Sequence, residues 1–199
     1  MKTILKNSGP AEYKEKGSKF ISFIYLIKNK KSVKRYLEEL KKEFHDATHI
    51  CYAYRFYENG KEYYRYNDDG EPSGTAGLPV LNEIKSKKLF NVLVAVIRYY
   101  GGVKLGRGGL SRAFGTVARD VINMTETTEF YFTKEFLIEI PFEFIGKTLN
   151  IIKNKGYTII ENTPSETGIK LKISIPQDDS DSFIKKLIDI SSGKINIIR

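Results

Sequence analysis

Cysteine and histidine are scarce in this chain of 199 residues, which has one cysteine and two histidines. The single Cys51 allows no internal disulfide, and this excludes a disulfide-stapled secreted scaffold. The same scarcity excludes zinc fingers. No apolar run approaches the roughly 18 residues that span a bilayer, and the N-terminal sequence MKTILKNSGPAEYKEKG lacks the apolar core of a signal peptide. The sequence therefore predicts a cytoplasmic protein.

Acidic residues are outnumbered by basic ones, and the formal net charge is +9. Residues 1–128 hold 23 Lys and Arg against 14 Asp and Glu, whereas residues 129–199 hold 10 of each kind. Such an excess attracts nucleic acid and other polyanions to one part of the chain. Compositional drift toward lysine produces the same imbalance, so charge alone leaves a functional basic surface and a solvated one equally open.

Glycine usage predicts two domains. Twelve of the 16 glycines precede residue 120, and the polar segment 123–130 separates the two parts. We therefore expect one domain over residues 1–125 and another over residues 130–199.

Hydrophobic periodicity predicts the elements of each domain. The first domain is predicted to have the order β-α-β-β-α-β-α, with a helix capped by Ser32 and a hairpin turn at Asn59 and Gly60. The second is predicted to have the order β-α-β-β-α-β, which is the ferredoxin-like arrangement. The predicted fold class is α+β.

A glycine-rich segment, YYGGVKLGRGGLSR, covers residues 99–112 between a predicted strand and a predicted helix. Backbone amides in such a place suit an anion. The spacing from Gly101 to Gly106 is that of a nucleoside-triphosphatase loop, but Arg107 replaces the lysine and Gly108 replaces the magnesium-binding Ser or Thr. The dinucleotide pattern G-x-G-x-x-G is also incomplete. We therefore expect no metal and no cofactor here.

Two interpretations of this segment stay open. The cations and backbone donors would clamp phosphates without reading bases, or the glycines would only permit positive φ and close packing. The candidates for anion or nucleic-acid binding are Arg98, Gly101, Gly102, Lys104, Arg107, Gly108, Gly109 and Arg112, together with Ser73 and Thr75 of a second loop.

This second loop, DDGEPSGTAGLP, places three carboxylates upstream of Ser73 and Thr75. They would hold a cation, or pair with arginines of the first loop and fix the two loops structurally, and the structural interpretation is favoured. With a nearby histidine they could instead supply acid, base or metal-ligand groups. The catalytic candidates are His49, Asp68, Asp69 and Glu71.

Two further groups have structural and functional interpretations. His45, His49 and Cys51 lie close in sequence but are too few for a zinc set, and burial of Cys51 as a structural residue is the expectation. Six tyrosines between Tyr52 and Tyr66 would stack on unpaired bases, or would form cross-strand pairs at the edge of a core.

Three segments, HDATHICYAYRF, NDDGEPSGTAGLPVL and VIRYYGGVKLGRGGLSRAF, occur in this order over roughly residues 45–115. Together they resemble the YigZ/Impact family of bacterial proteins and eukaryotic translational regulators. The resemblance implies a ribosomal protein S5 domain 2-like fold for the first domain. It also implies a second domain similar to a terminal domain of elongation factor G. Arg107 stands where the family leads us to expect a small residue.

The family's eukaryotic members act by binding an activator of the kinase that phosphorylates an initiation factor, and bacterial members have been thought to bind nucleic acid. The resemblance thus implies a non-enzymatic, translation-linked protein that binds RNA or a ribosome-associated partner through both glycine-rich loops. One alternative is an enzyme acting on a phosphorylated small molecule or nucleotide, which requires His49 to lie within about 10 Å of these loops. Another is a protein-interaction module without an anion ligand, which an exposed apolar patch would favour. The oligomeric state is left open.

Overall fold

A computed structural model describes residues 2–58, 61–129 and 131–198. The chain divides into two compact units, Met1–Phe130 and Tyr131–Arg199, and each unit has its own sheet and hydrophobic core. The predicted α+β class with two domains is therefore confirmed. No helix within the described residues is long and apolar enough to cross a membrane.

The first unit contains seven strands and three helices within its described residues. Five strands form an antiparallel sheet in the order β2-β3-β6-β4-β5, and β1 pairs with β7. The predicted order of elements is present from β3 to α3. The elements are β1 (Lys2–Ile4), β2 (Ser8–Glu15), β3 (Ser18–Leu26), α1 (Lys30–Glu43), β4 (His49–Glu58), β5 (Lys61–Asn67), α2 (Gly77–Ser86), β6 (Val92–Tyr99), α3 (Gly106–Asn123) and β7 (Thr127–Glu129).

The sheet of the first unit is covered on both faces. The central strand β6 is buried from Val92 to Arg98, which explains its continuous apolar run. Strand β4 alternates, with Ile50 and Phe56 packing on the side of α1 while Cys51 packs on the side of α2 and α3. This alternation is the period of two that is typical of a strand.

Helix α1 begins earlier than predicted. Its N-cap is Asn29, whose side-chain oxygen accepts a hydrogen bond from the Ser32 amide at 3.0 Å, while the Ser32 hydroxyl accepts one from the Asn29 amide at 3.2 Å. Ser32 is therefore the third helical residue of a capping box rather than the cap itself. The predicted turn at Asn59 and Gly60 lies outside the described residues.

The segment predicted as the junction is partly a strand. Residues Thr127–Glu129 form β7, which pairs with β1 in antiparallel register. Because of this pairing, residues 126–129, which the sequence prediction placed outside the first domain (1–125), belong to the first unit.

The second unit has the six predicted elements in the predicted order. Its antiparallel sheet runs β11-β8-β10-β9, and the core lies between this sheet and the two helices. Short 3-10 turns at residues 142–144 and 177–179 lead into the helices. The elements are β8 (Thr133–Pro141), α4 (Ile145–Lys155), β9 (Thr158–Ser165), β10 (Gly168–Pro176), α5 (Ser180–Ser191) and β11 (Asn196–Ile198).

Candidate functional site

The predicted site residues gather at one edge of the first sheet. Strands β5 and β6 both run antiparallel to β4, which lies between them, so both strands end at the edge where β4 begins. Loop 68–76 leaves this edge after β5, and loop 100–105 leaves it after β6. His49, the first residue of β4, is the register partner of Arg98 near the end of β6.

The two loops are joined by one side chain. The Arg107 guanidinium donates a hydrogen bond to the Ser73 carbonyl at 2.8 Å. The sequence raised the possibility that a carboxylate of loop 68–76 would pair with Arg107 or Arg112. The loops do meet, but the arginine that pairs with a carboxylate is Arg98.

Asp68 occupies the amides of its own loop. Its carboxylate accepts hydrogen bonds from the amides of Gly74 at 2.9 Å, Ala76 at 3.1 Å and Gly77 at 2.8 Å. A carboxylate at this position also lies at the N-terminus of α2, where the helix dipole favours it. These amides are therefore bonded within the chain itself and are not open to an external anion. Thr75 is buried as well, and its hydroxyl donates to the Pro72 carbonyl at 2.6 Å.

Arg98 belongs to a buried polar network. One guanidinium nitrogen lies 2.5 Å from a Glu71 carboxylate oxygen, and the two side chains are 6% and 3% exposed. A second nitrogen donates to the Ser18 hydroxyl at 3.4 Å, and that hydroxyl also accepts from the Gly101 amide at 3.2 Å. The Arg98 Nε has no hydrogen-bond partner among the described residues. The charge of Arg98 is thus largely balanced by Glu71 inside the protein. Through the Ser18 hydroxyl, Arg98 also connects loop 100–105 to the sheet.

His49 lies directly against loop 68–76. Its Nδ1 donates to the Asp69 carbonyl at 2.6 Å, because a carbonyl oxygen can only accept. This leaves Nε2 facing the Glu71 carboxylate at 3.7 Å. The Asp69 carboxylate accepts from the Ile50 amide at 2.7 Å and holds the loop to β4. His49 therefore meets the distance requirement of the enzyme alternative.

Cys51 is a buried structural residue. Its thiol donates to the Asp68 carbonyl at 3.0 Å. Burial raises the pKa of this thiol, and the carboxylates of Glu71, Asp69 and Asp68 raise it further. A thiol that stays protonated is a poor nucleophile and a poor metal ligand. The described residues contain no group of three or more His, Cys, Asp or Glu side chains placed to hold a metal ion.

The glycines of the first segment differ in whether close packing requires a residue without a Cβ atom. A Cβ on Gly101 would collide with the backbone of Gly17 and Ser18, so close packing explains that glycine. Gly109 is buried against Leu105. A Cβ on Gly108, in contrast, would meet no atom within 4 Å, and its φ is not positive. Packing and backbone conformation therefore explain Gly101 but not Gly108.

Helix α3 begins at Gly106, so the second half of the glycine-rich segment is its first turn rather than a loop. The sequence predicts this segment to precede the helix, because glycine has low helix propensity. The N-cap position is Leu105, and no side chain caps the helix. The first-turn amides therefore point outward with the positive end of the helix dipole, an arrangement that suits an anion.

Three exposed cations surround this turn: Lys104, Arg107 and Arg112. None of them takes part in an ion pair among the described residues. The open turn of α3 with these cations forms the candidate site, which we call the α3 turn. Chemically it can neutralise and hydrogen-bond a phosphate, but it presents no group arranged to read a base.

The six hairpin tyrosines do not form one surface. The register of β4 and β5 places Tyr52, Tyr54 and Tyr63 on the side of α1, together with Arg65. Tyr57, Tyr64 and Tyr66 lie on the opposite side with Arg55, which bonds to Glu62 at 2.8 Å. The six tyrosines therefore cannot form one base-stacking surface, because adjacent strand residues point to opposite faces.

Sequence reasoning missed Ser18 and Thr48. The Ser18 hydroxyl links Arg98 to Gly101, and the Thr48 hydroxyl accepts from the Tyr100 amide at 3.0 Å. Ser18 is the first residue of β3 and Thr48 directly precedes β4 at the same edge. Only the sheet order, which the sequence prediction lacked, could have pointed to them.

Comparison with known proteins identifies the family. The Impact N-terminal domain model matches residues 16–122. The chain is 30% identical to the IMPACT family member YvyE of Bacillus subtilis (strain 168), covering 97% of this chain and 88% of that protein. It is 27% identical to YigZ of Escherichia coli (strain K12), covering 92% and 90%. The chain belongs to the IMPACT family, and the resemblance found in the three segments is confirmed.

One solved structure has a fold similar to that of this chain. A crystal structure of a hypothetical protein, 24% identical, matches 99% of this chain and 95% of its own with a TM-score of 0.66. The two-domain translational regulator Yih1 is 26% identical over 60% of this chain and 46% of its own. Its TM-score of 0.41 is too low for a comparison of the two folds.

Proposed function

We propose that this protein is a non-enzymatic, translation-linked regulatory protein of the cytoplasm that binds RNA phosphates through the α3 turn. One observation carries the proposal: an uncapped helix start lies beside Lys104, Arg107 and Arg112, none of which forms an ion pair among the described residues. Backbone amides at a helix start and arginine side chains are both strong donors to phosphate oxygens.

The choice of RNA is supported by charge and by family. All of the net positive charge belongs to residues 1–128, which include the α3 turn. Membership of the IMPACT family, together with the translational role that the resemblance implies for eukaryotic members, supports a translation-linked partner. Ribosomal RNA, or a partner bound to the ribosome, would present the phosphate-rich surface that this site fits.

We also propose a fold type for each of the two domains. The order β-α-β-β-α-β with the sheet order β11-β8-β10-β9 supports a ferredoxin-like second domain similar to a terminal domain of elongation factor G. Family membership supports a ribosomal protein S5 domain 2-like first domain. Both fold types recur in ribosome-associated proteins, which agrees with the proposed role by analogy of fold alone.

Crosslinking and sequencing of RNA bound in cells tests the proposal. The wild type is compared with Arg107→Glu/Arg112→Glu, and Lys185→Glu/Lys186→Glu on exposed positions of α5 is the control with the same change in charge. We expect specific crosslinks that the first variant loses and the control keeps. If the folded wild type shows no enrichment over background, the proposal fails. A protein partner is then favoured, for which the exposed Tyr100 and Val103 offer apolar contacts.

Binding in vitro gives an independent check on the electrostatic part. Affinity for single-stranded RNA should fall steeply between about 50 and 200 mM salt, with a log–log slope of about −0.7 for each phosphate neutralised. Arg107→Glu/Arg112→Glu should make this slope shallower by about two such contacts. Tight binding that ignores salt would contradict a phosphate-binding α3 turn.

A second candidate function is catalysis on a phosphorylated small molecule or nucleotide. The observation in its favour is the convergence of His49, Glu71 and loop 68–76, with His49 Nε2 3.7 Å from Glu71. His49 would act as acid or base and the α3 turn as the phosphate site. Turnover of a phosphorylated substrate by the wild type that is abolished in His49→Gln would establish it.

A further inference from the structure

The side of the first sheet that α1 covers carries a groove of about 370 Å³ between α1 and strands β4 and β5. Its floor is aromatic and consists of Tyr52 and Tyr54. Four cations line it, Lys30, Lys34 and Lys41 from α1 and Arg65 from β5. We call this cavity the α1 groove.

The positive charge of the α1 groove is only partly balanced. Among its lining residues the one carboxylate is Glu38, which lies 3.7 Å from the Lys34 ammonium and offsets a single charge. Lys30 is the first residue of α1, where the helix dipole disfavours a cation, and the first turn contains no acidic residue. The Lys30 ammonium instead lies 5.7 Å from the centre of the Tyr63 ring, a cation–π contact that keeps its charge beside the groove.

The floor of the α1 groove offers flat aromatic surface. The rings of Tyr52 and Tyr54 are nearly parallel, with an angle of 8° between their planes and 6.5 Å between their centroids. Tyr54 is buried against the core, whereas Tyr52 is partly exposed. Tyr52 is thus the ring on which a planar group can stack.

We propose that the α1 groove binds one unpaired nucleotide, with the base on Tyr52 and the phosphate among the rim cations. Aromatic rings that stack bases, together with cations that follow the backbone, are the recurrent means of binding single strands without sequence preference. The volume lies near the lower end of the roughly 300–1,000 Å³ of small-molecule sites, so it fits one nucleotide rather than a folded RNA. A free mononucleotide and an unpaired nucleotide of an RNA strand share this chemistry.

This site uses none of the residues of the α3 turn and stands independently of the proposed function. Arg107→Glu/Arg112→Glu therefore serves as the background in which the two can be told apart. Loss of the α3 turn should leave nucleotide binding at Tyr52 intact, whereas loss of Tyr52 should leave the phosphate contacts of the α3 turn intact.

The test uses the full chain carrying Arg107→Glu/Arg112→Glu, so that the α3 turn does not contribute, with three probes: a labelled eight-nucleotide single-stranded RNA, the same sequence as a duplex, and AMP. The variants are Tyr52→Leu, the conservative Tyr52→Phe, and Arg65→Glu. The matched control is Tyr64→Leu, which removes an exposed tyrosine from the opposite side of the same hairpin. Affinities are measured by fluorescence polarisation, with AMP as competitor, and binding is located by backbone amide shifts in NMR spectra.

We expect Tyr52→Leu to weaken binding of the single strand by about tenfold or more, which is the effect of losing one stacked base. Arg65→Glu should weaken it too, whereas Tyr52→Phe and Tyr64→Leu should bind as the Arg107→Glu/Arg112→Glu background does. AMP that competes and shifts the amides around Tyr52 identifies a free nucleotide as a ligand, while binding of the strand alone identifies RNA. The inference is overturned if Tyr52→Leu and Tyr64→Leu behave alike, if the duplex binds as well as the single strand, or if neither the single strand nor AMP binds.

Discussion

Glu71 and Arg98 form the most deeply buried ion pair among the described residues, with side chains 3% and 6% exposed. Removing one partner of such a pair leaves the other charge uncompensated. We expect Glu71→Gln to lower the free energy of unfolding by ~3–5 kcal/mol in urea denaturation. Glu83→Gln is the control, since it breaks a pair with the half-exposed Arg119 and should cost less than about 1 kcal/mol. Equal losses in both variants would show that the buried pair adds nothing beyond a surface contact.

Gly108 and Gly101 allow stability and binding to be separated at the residue scale. Gly108→Ala places a methyl group in open space on a helix and should raise the stability of the protein by up to about 1 kcal/mol. The same methyl group would obstruct a phosphate at the α3 turn, so RNA affinity should fall by about tenfold, the loss of one charged hydrogen bond. Thermal unfolding and polarisation titrations measure the two effects.

Gly101→Ala is the companion variant, because its methyl group collides with the backbone of Gly17. It should lower stability by ~1–3 kcal/mol, as overpacking does. If Gly108→Ala binds RNA as the wild type does, the open space around Gly108 has no part in phosphate binding.

At the scale of elements, the capping box of α1 gives a direct test of the corrected helix start. Asn29→Ala removes the acceptor of the Ser32 amide and should cost ~1 kcal/mol of stability. Asn29→Asp keeps the acceptor and should retain stability. Asn82→Ala, at an exposed position inside α2, is the control and should raise stability slightly, because alanine has the higher helix propensity. A larger loss from Ser32→Ala than from Asn29→Ala would instead favour Ser32 as the cap.

The second unit should lose stability at alkaline pH through Tyr157. Burial, followed by the hydrogen bond that its hydroxyl donates to Asp179, raises the pKa of Tyr157 from 10.0 to about 12. A pKa that is higher in the folded state stabilises the fold fully below pH 10, and this contribution is lost as the pH rises from 10 to about 12. Tyr157→Phe lacks this titration. The stability difference between wild type and Tyr157→Phe should therefore narrow over that window in urea unfolding, and a constant difference would contradict the assignment.

Strong periodicity explains which elements could be predicted. Strand β6, with its continuous apolar run, and helices α1 and α3 were found from sequence because their buried faces follow regular patterns. Strands β1 and β7 have three residues each, and they form by pairing with each other across more than 120 positions of sequence. A local sequence pattern cannot predict such a long-range pairing. The start of α3 was missed because glycine argues against helix, although an exposed first turn tolerates it.

At the scale of the whole molecule, the distribution of charge and the two cores predict how the chain can be divided. A fragment of residues 1–130 holds the α3 turn, the α1 groove and the excess of positive charge. It should fold alone and keep its RNA affinity and salt dependence within about twofold of the full chain. The fragment 131–199 has its own core and balanced charge, and should fold cooperatively but bind RNA weakly. Circular dichroism and polarisation titrations of both fragments check this, and strong binding by the second fragment would relocate the RNA site.

The candidate site was only partly accessible from sequence. The sequence predicted that each glycine-rich loop precedes a helix. The antiparallel pairing of β5 and β6 with β4 brings the two loops to one edge of the sheet. That the Asp68 carboxylate would accept from the amides of Gly74, Ala76 and Gly77 was not predictable, because this contact depends on turns within loop 68–76 that have no simple spacing rule. The register between β4 and β5 was also needed to assign the tyrosines of both strands to the two faces of the sheet.

The Asp68 carboxylate orders loop 68–76 without a bound ligand, because it accepts the hydrogen bonds of the loop amides. Loops that bind phosphate often become ordered only when their ligand arrives, and this lets nucleotide occupancy act as a switch. Here the ordering anion is covalently part of the chain, so the loop is assembled at any concentration of phosphate or nucleotide as soon as the chain has folded. Binding of phosphate or nucleotide therefore cannot act as a switch through the ordering of loop 68–76.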